Sequence, residues 1–184
     1  MTDRKVIGIG SAESRKGQSE GHDNIFADEK PIIEDFKFGK ETASVFDDMV
    51  DRSVPFYREI QRMSGEIAAD FGVPGTNLYD LGCATGTTML IFDDLVDPGV
   101  RFVGVDNSDD MLTKTRQKLE AQKMVRAFDL VNADLNHGPL IENASVAVMI
   151  LTLQFVRPMH RERVIRKIYE QLNDSGCLIL VEKI

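Results

Sequence analysis

Very little in this chain of 184 residues could bind a metal or build a disulfide framework. It holds two cysteines and three histidines. Cys83 and Cys177 fall in stretches that read as strands. They are expected to be small buried apolar side chains in a reducing cytosol. His22, His137 and His160 show no metal-ligand spacing, and no metal site is expected. Positive charge is also scarce: 22 Lys and Arg face 30 Asp and Glu, a net charge of −8. That argues against a protein that wraps nucleic acid by itself. No apolar run reaches membrane-spanning length, and the N-terminus lacks the apolar core of a signal peptide. No internal repeat is visible. A cytoplasmic location with no membrane contact is expected.

What is present is one domain's worth of chain with a real core. Hydrophobic residues make up 42% and charged residues 28%, ordinary for a globular protein. Residues 1–30 are rich in Gly, Ser and charge and read as a disordered tail. Within it, R-K-G resembles a phosphate-binding arm less than a solvated tail. Residues 31–75 read as an N-terminal helical lid. There Val45, Phe46, Met49 and Val50 form one apolar helix face. A second helix is expected over about Pro55 to Phe71, with Ser53 as a cap, Pro55 in the first turn and Phe56, Ile60, Met63 and Ile67 as the buried stripe. G-V-P-G at Gly72 to Gly75 ends it.

From residue 76 to 184, strands alternate with helices. The strands are Asn77–Leu81, Arg101–Val105, about Asp129–Ala133, Ala144–Thr152 and Cys177–Val181. Helices fall at about Thr85–Leu95, after Ser108 as cap, and at Met159–Leu172, with N-D-S-G at Asn173–Gly176 as the last C-cap and turn. This alternation implies a parallel sheet with right-handed crossovers, strand order 3-2-1-4-5, and a ligand above the carboxyl ends at the switch between strands one and four.

The stretch N-L-Y-D-L-G-C-A-T-G at Asn77–Gly86 is the centre of the reading. It is a buried strand running into a glycine turn that opens a helix. Gly82 and Gly86 allow positive φ, and the turn is expected to deliver bare N–H groups at the helix N-terminus. The dinucleotide fingerprint G-x-G-x-x-G is absent, because Ala84 and Thr87 stand where its glycines belong. An acid, Asp80, leads the turn instead and suits a ligand with an ammonium group. Asp106 ends strand two, where a carboxylate can take both ribose hydroxyls. Asp134 ends strand three, within reach of an adenine amino group. Taken singly, Asp106 also reads as the start of the turn D-N-S-D-D, and Asp134 as an Asx-turn residue. Together the three acids describe a nucleoside that carries an amino acid.

The D-x-G-x-x-x-G arrangement resembles motif I of class I S-adenosylmethionine-dependent methyltransferases. F-D-D-M-V-D-R-S-V-P-F-Y, Y-D-L-G-C, V-D-N-S, A-D-L, E-N-A-S and T-L-Q-F, from about Phe36 to the end, resemble more narrowly the carboxy-S-adenosylmethionine synthases of wobble-uridine tRNA modification. The resemblance implies a Rossmann-like class I methyltransferase fold and S-adenosyl-L-methionine, or its carboxylated form, as cofactor. It implies prephenate as carboxyl donor, a partner enzyme that acts on the tRNA, and a homodimer. By the same resemblance, Tyr57 meets the cofactor's amino-acid end. Gly82, Cys83 and Ala84 form the loop, Asp106 and Asn107 hold the ribose, and Asp134 and Leu135 the adenine. Stabilising an anionic donor needs cations or donors near the sulfur. Arg52 and Tyr57 are the candidates, with Gln154 at the rim.

Two departures stand out. The resemblance implies an asparagine at the position of Ile150. The family also continues past strand five with two further strands and an arginine for the transferred carboxylate, whereas the given sequence stops at Ile184. The sheet is therefore expected to lack its last two strands, with instability or dimerisation as the consequence. An ordinary small-molecule methyltransferase and a cofactor-binding module without activity stay open as alternatives.

Overall fold

A computed structural model describes residues 40–183. The expected tail, and the expected start of the lid at 31–39, lie outside the described residues. Five parallel strands form one sheet in the order β3-β2-β1-β4-β5: β1 Asn77–Leu81, β2 Arg101–Asp106, β3 Phe128–Asn132, β4 Ala144–Ile150 and β5 Leu172–Val181. The helices are α1 Lys40–Ser53, α2 Tyr57–Phe71, α3 Thr87–Asp93, α4 Asp109–Ala121 and α5 Pro158–Gln171. The strand order is the one the sequence implies. Side-chain alternation explains why the strands read so clearly. Leu78, Phe102, Val146 and Val148 join Met89, Phe92 and Leu119 on one face. Tyr79, Leu81, Val103, Val105, Ala147 and Met149 join Val164 and Ile168 on the other. Central strands buried on both faces become nearly continuous apolar runs.

The helices depart from the sequence reading in instructive ways. Ser53 is the last residue of α1 rather than a cap, and α2 starts only at Tyr57, after Pro55. The residue between them, Phe56, takes a left-handed conformation at φ 57° with no side-chain cap. Three of the four residues of the expected buried stripe face outward: Phe56, Met63 and Ile67 are 83%, 52% and 43% exposed, while Ile60 is half-buried. Its buried face is Gln61, Ser64, Gly65 and Ala68. Small residues let α2 come close to α3, and a Cβ on Gly65 would run into Leu95 and Phe92. Close approach won over apolar patterning here. The Ser108 cap of α4 is as expected, with its hydroxyl accepting from Met111 N at 3.2 Å. The helix α3 is shorter than expected, at seven residues.

N-D-S-G is not a free turn. α5 passes straight into β5 at Leu172, which is extended. The β4–β5 register jumps from Ala144↔Leu172 to Val146↔Cys177, so Asn173–Gly176 bulges within the strand. The positive φ there falls on Ser175, not on Gly176.

One buried cation, absent from the sequence reading, ties the far end of the sheet to α3. Arg126 donates to Asp93 Oδ1 at 2.8 Å and to the carbonyls of Asp93, Val96, Asp97 and Val100. Its guanidinium lies 4.1 Å from the centre of the Phe102 ring. These carbonyls end α3 and the turn after it, and no helix bond reaches them. Arg126→Met is expected to leave the Asp93, Val96 and Val100 carbonyls without this donor and the Asp93 carboxylate without its cation, while Asp97 O keeps its bond from Val100 N, and to cost about 3–5 kcal/mol, the scale for breaking a buried ion pair. A drop of that size in the denaturant-unfolding free energy checks it, and a change below about 1 kcal/mol would refute the anchoring role.

Candidate functional site

The carboxyl ends of β1, β2 and β4 open into a cavity of about 1040 Å³. Its walls bring together most of the residues singled out from the sequence: Tyr57, Asp80, Gly82, Cys83, Ala84, Asp106, Asn107, Asp134 and Leu135. From α1 and the junction to α2 come Phe46, Met49, Val50 and Val54. Arg52 is different. It is not among the lining residues, and its half-exposed guanidinium pairs with Asp48 at 3.2 Å. The cationic side chains on the cavity wall, among the described residues, are Arg157 and Lys183.

The glycine turn has the backbone the sequence implies. Gly82 and Gly86 take φ of 89° and 78°, and Ala84 joins them at 46°. A side chain on Gly82 would collide with Thr152, and one on Gly86 with Thr115. Four of the turn's N–H groups, however, are spent inside the protein. Gly82 and Cys83 donate to Val105 O at 2.8 and 3.0 Å, and Gly86 to Cys83 O at 2.8 Å. Ala84 donates to Asp106 Oδ2 at 3.0 Å. A turn wired this way is poorly suited to cradling a phosphate. Thr115 adds a bond to Ala84 O at 2.6 Å, fixing the turn to α4. Cys83 lies in this turn, past the end of β1.

The three acids behave differently. Asp80 is 2% exposed, and its Oδ2 has no hydrogen-bond partner. Burial first, and then the charge of Asp106, push its carboxyl up to about 7. Asp106 is also raised by burial, against backbone hydrogen bonds from Ser108, Ala84 and Asn107. Asp134 lies beyond β3 and caps the 3₁₀ turn Leu135–His137, its Oδ1 accepting from Asn136 N and Nδ2 at 2.8 and 2.9 Å. Its Asx-turn reading is thus met, while the residue still lines the cavity. Burial pulls its carboxyl up, but the Asn136 bonds outweigh this and leave it lowered. Tyr57, pushed up to about 12 by burial, stays a neutral phenol. Gln154 donates to Leu151 O at 2.7 Å, a strand-end contact at the rim.

Sequence reasoning missed Gln61, whose Nε2 donates to the Tyr57 hydroxyl at 2.8 Å. It also missed Asp47. From α1, Asp47 accepts from Thr85 and Thr87 hydroxyls at 2.5 and 3.1 Å and from Lys118 Nζ at 2.7 Å. Burial would raise this carboxyl, yet Lys118 and the threonines hold it below the ordinary range. The signal for Gln61 was there: Gln61, Ser64, Gly65 and Ala68 recur at helical spacing, the mark of a closely packed face. Ile150 lines the cavity with an apolar side chain, as its sequence position implies, and Gln61 is the wall residue that brings an amide from α2.

A parallel sheet in this order, a glycine turn after β1, and acids at the ends of β1 and β2 define a class I S-adenosylmethionine-dependent methyltransferase domain. The methyltransferase-domain family matches residues 78–176. A solved relative in fold, the CcbJ methyltransferase of Streptomyces caelestis, superposes with a TM-score of 0.63. It is 24% identical, over 77% of this chain and 55% of that one. In sequence the chain is 51% identical to the carboxy-S-adenosyl-L-methionine synthase of Methylococcus capsulatus, over 88% of this chain and 67% of that protein. It is 41% identical to the synthase of a Shewanella species over the same shares. The chain belongs to the carboxy-S-adenosyl-L-methionine synthase family.

Two outcomes follow from this geometry. A bound ammonium favours ionised Asp80, so cofactor affinity should rise with pH through about 7, where Asp80 titrates. It should fall again above about 8, as an α-amino group loses its proton. Asp80→Asn flattens the rising limb in calorimetric titrations run across this range. Without ligand the sign reverses. The folded Asp80 carboxyl holds its proton to a higher pH than the unfolded one, so its contribution to stability falls as pH rises from about 4 to about 7. The second outcome concerns α1. Asp47→Ala should speed amide exchange in Lys40–Ser53 roughly fivefold, about 1 kcal/mol for a half-exposed pair, while β1 and β4 stay protected. Unchanged exchange in α1 would show that Asp47 does not hold it.

Proposed function

We propose that this chain is a carboxy-S-adenosyl-L-methionine synthase that takes prephenate as the carboxyl donor and supplies the cytoplasmic modification of wobble uridine in tRNA. The observation that carries the reading is the acid-lined cavity over β1, β2 and β4, in a chain 51% identical to a synthase of that name. The residues fit the cofactor. The unpartnered Oδ2 of Asp80 suits an ammonium, and the inward wiring of the glycine turn disfavours an anion in that place.

The cofactor, when bound, would supply a sulfonium that acidifies its own methyl group, so that the methyl can give up one C–H proton and take in its place the carboxyl group released by the donor. The protein's part is orientation and charge. Asp80 and Tyr57 hold the amino-acid end. Asp106, with Asn107, takes the ribose hydroxyls, its carboxylate already fixed by Ala84 and Ser108 N–H groups at 3.0 and 2.9 Å. Asp134 and Leu135 border the adenine. Phe46, Met49 and Val50 of α1 keep water from the wall opposite. We assign the anionic donor to Arg157 and Lys183 in place of Arg52, because they are the cations that line the cavity. The exposed apolar side chains Met63, Ile67 and Phe71 of α2 support a homodimer.

Incubation with S-adenosyl-L-methionine and prephenate, followed by mass analysis of the cofactor, tests the reading. The expected result is cofactor that has gained one carboxyl group, with product lost in Asp106→Ala. Cofactor binding without product would favour a binding module. No binding in calorimetry would sink the cofactor assignment itself.

A further inference from the structure

Gln61 belongs to no motif of the sequence reading, and the proposed function gives it no task. It is 0% exposed, on the wall of the cavity, beside Tyr57. Its amide is half used: Nε2 donates to the Tyr57 hydroxyl, and Oε1 has no partner. Among the described residues, the one other buried side-chain atom without a partner is Asp80 Oδ2, on the same cavity wall. A buried carbonyl left unpaired costs about 1–3 kcal/mol. A methionine at this place on α2 would pack without that cost. The fold therefore carries two unpaired acceptors, one from α2 and one from β1, on residues that line one cavity. They ask for a ligand group with several hydrogens on one atom. A hydroxyl has a single hydrogen to give. An α-ammonium has three.

We propose that Gln61 Oε1 accepts a hydrogen bond from the α-ammonium of the bound cofactor, in company with Asp80. Helix α2 then reads the amino-acid end of the ligand directly, and Gln61 determines specificity for it. Tyr57 gains its place in the same way, since Gln61 holds its hydroxyl while the amide oxygen turns to the ligand. The inference rests on the cofactor reading given under Proposed function.

Calorimetric titration of the full chain tests it with two ligands, S-adenosyl-L-methionine and the analogue that has hydrogen in place of the α-amino group. Gln61→Met should weaken binding of the first about tenfold, the scale of one hydrogen bond to a charged group. It should weaken binding of the analogue clearly less, by no more than the loss of support to Tyr57. The unliganded variant should melt at or above the wild-type temperature, because an unpaired polar atom has left the interior. Gln61→Glu keeps an acceptor in place and should bind S-adenosyl-L-methionine at least as tightly as wild type. Equal weakening of both ligands by Gln61→Met would assign Gln61 to the support of Tyr57 and overturn the proposal. So would a loss in Gln61→Glu as large as in Gln61→Met. If the wild-type chain binds neither ligand, the cofactor reading fails first, and that result is distinguishable from either loss.

Discussion

A carboxylate buried on a central strand, with one oxygen short of a donor, sets the terms for everything around it. Asp80 sits in β1 between β2 and β4, level with Gly104 and Val148. Among the described residues, no side chain or backbone group completes it. The protein tolerates this because burial raises the carboxyl and allows it to hold a proton when the cavity has no cation. The neighbouring acid, Asp106, makes the opposite choice and ties itself to backbone N–H groups of the glycine turn and of Ser108. Asp106 is braced by the backbone, and Asp80 keeps one oxygen without a donor.

That division also explains the turn. A glycine turn between strand and helix is usually thought of as an anion cradle. Here Val105 and Asp106 take the N–H groups of Gly82, Cys83 and Ala84. The turn works as a brace that joins β1 to β2. The same sharp backbone thus serves a positively charged ligand simply by turning its donors inward. On the other flank, Asp47 and Lys118 fasten α1 to Thr85 and Thr87, so the cover over the cavity is tied to the brace itself.

The strands, their order and the three acids were legible because parallel central strands must be apolar on both faces and their ends share one rim. The N-terminal helices were not. The outward stripe of α2, Phe56, Met63 and Ile67, looks like a core face in sequence, whereas its real inner face is an amide and three small residues. Gln61 and Arg126 are both polar residues whose type says surface. Gln61 is buried beside Tyr57, one helical turn away, on the closely packed face of α2, whereas Arg126 is buried because it satisfies groups far away in sequence. Arg126 gathers carbonyls from Asp93 to Val100. No local pattern reports such pairings. Arg52 stands apart, since its motif position suggests the cavity while its guanidinium pairs with Asp48 on α1.

Cys83 gives the crowding of acids a further meaning. Its thiol is buried in the cavity wall, and burial, then Asp80 and Asp106, drive its pKa well above the ordinary value. Only a thiolate is a strong nucleophile. A sulfonium is an alkylating agent, and a thiolate is the form of cysteine it alkylates. The crowding of acids keeps the Cys83 thiol, packed beside Gly104, in its unreactive protonated form.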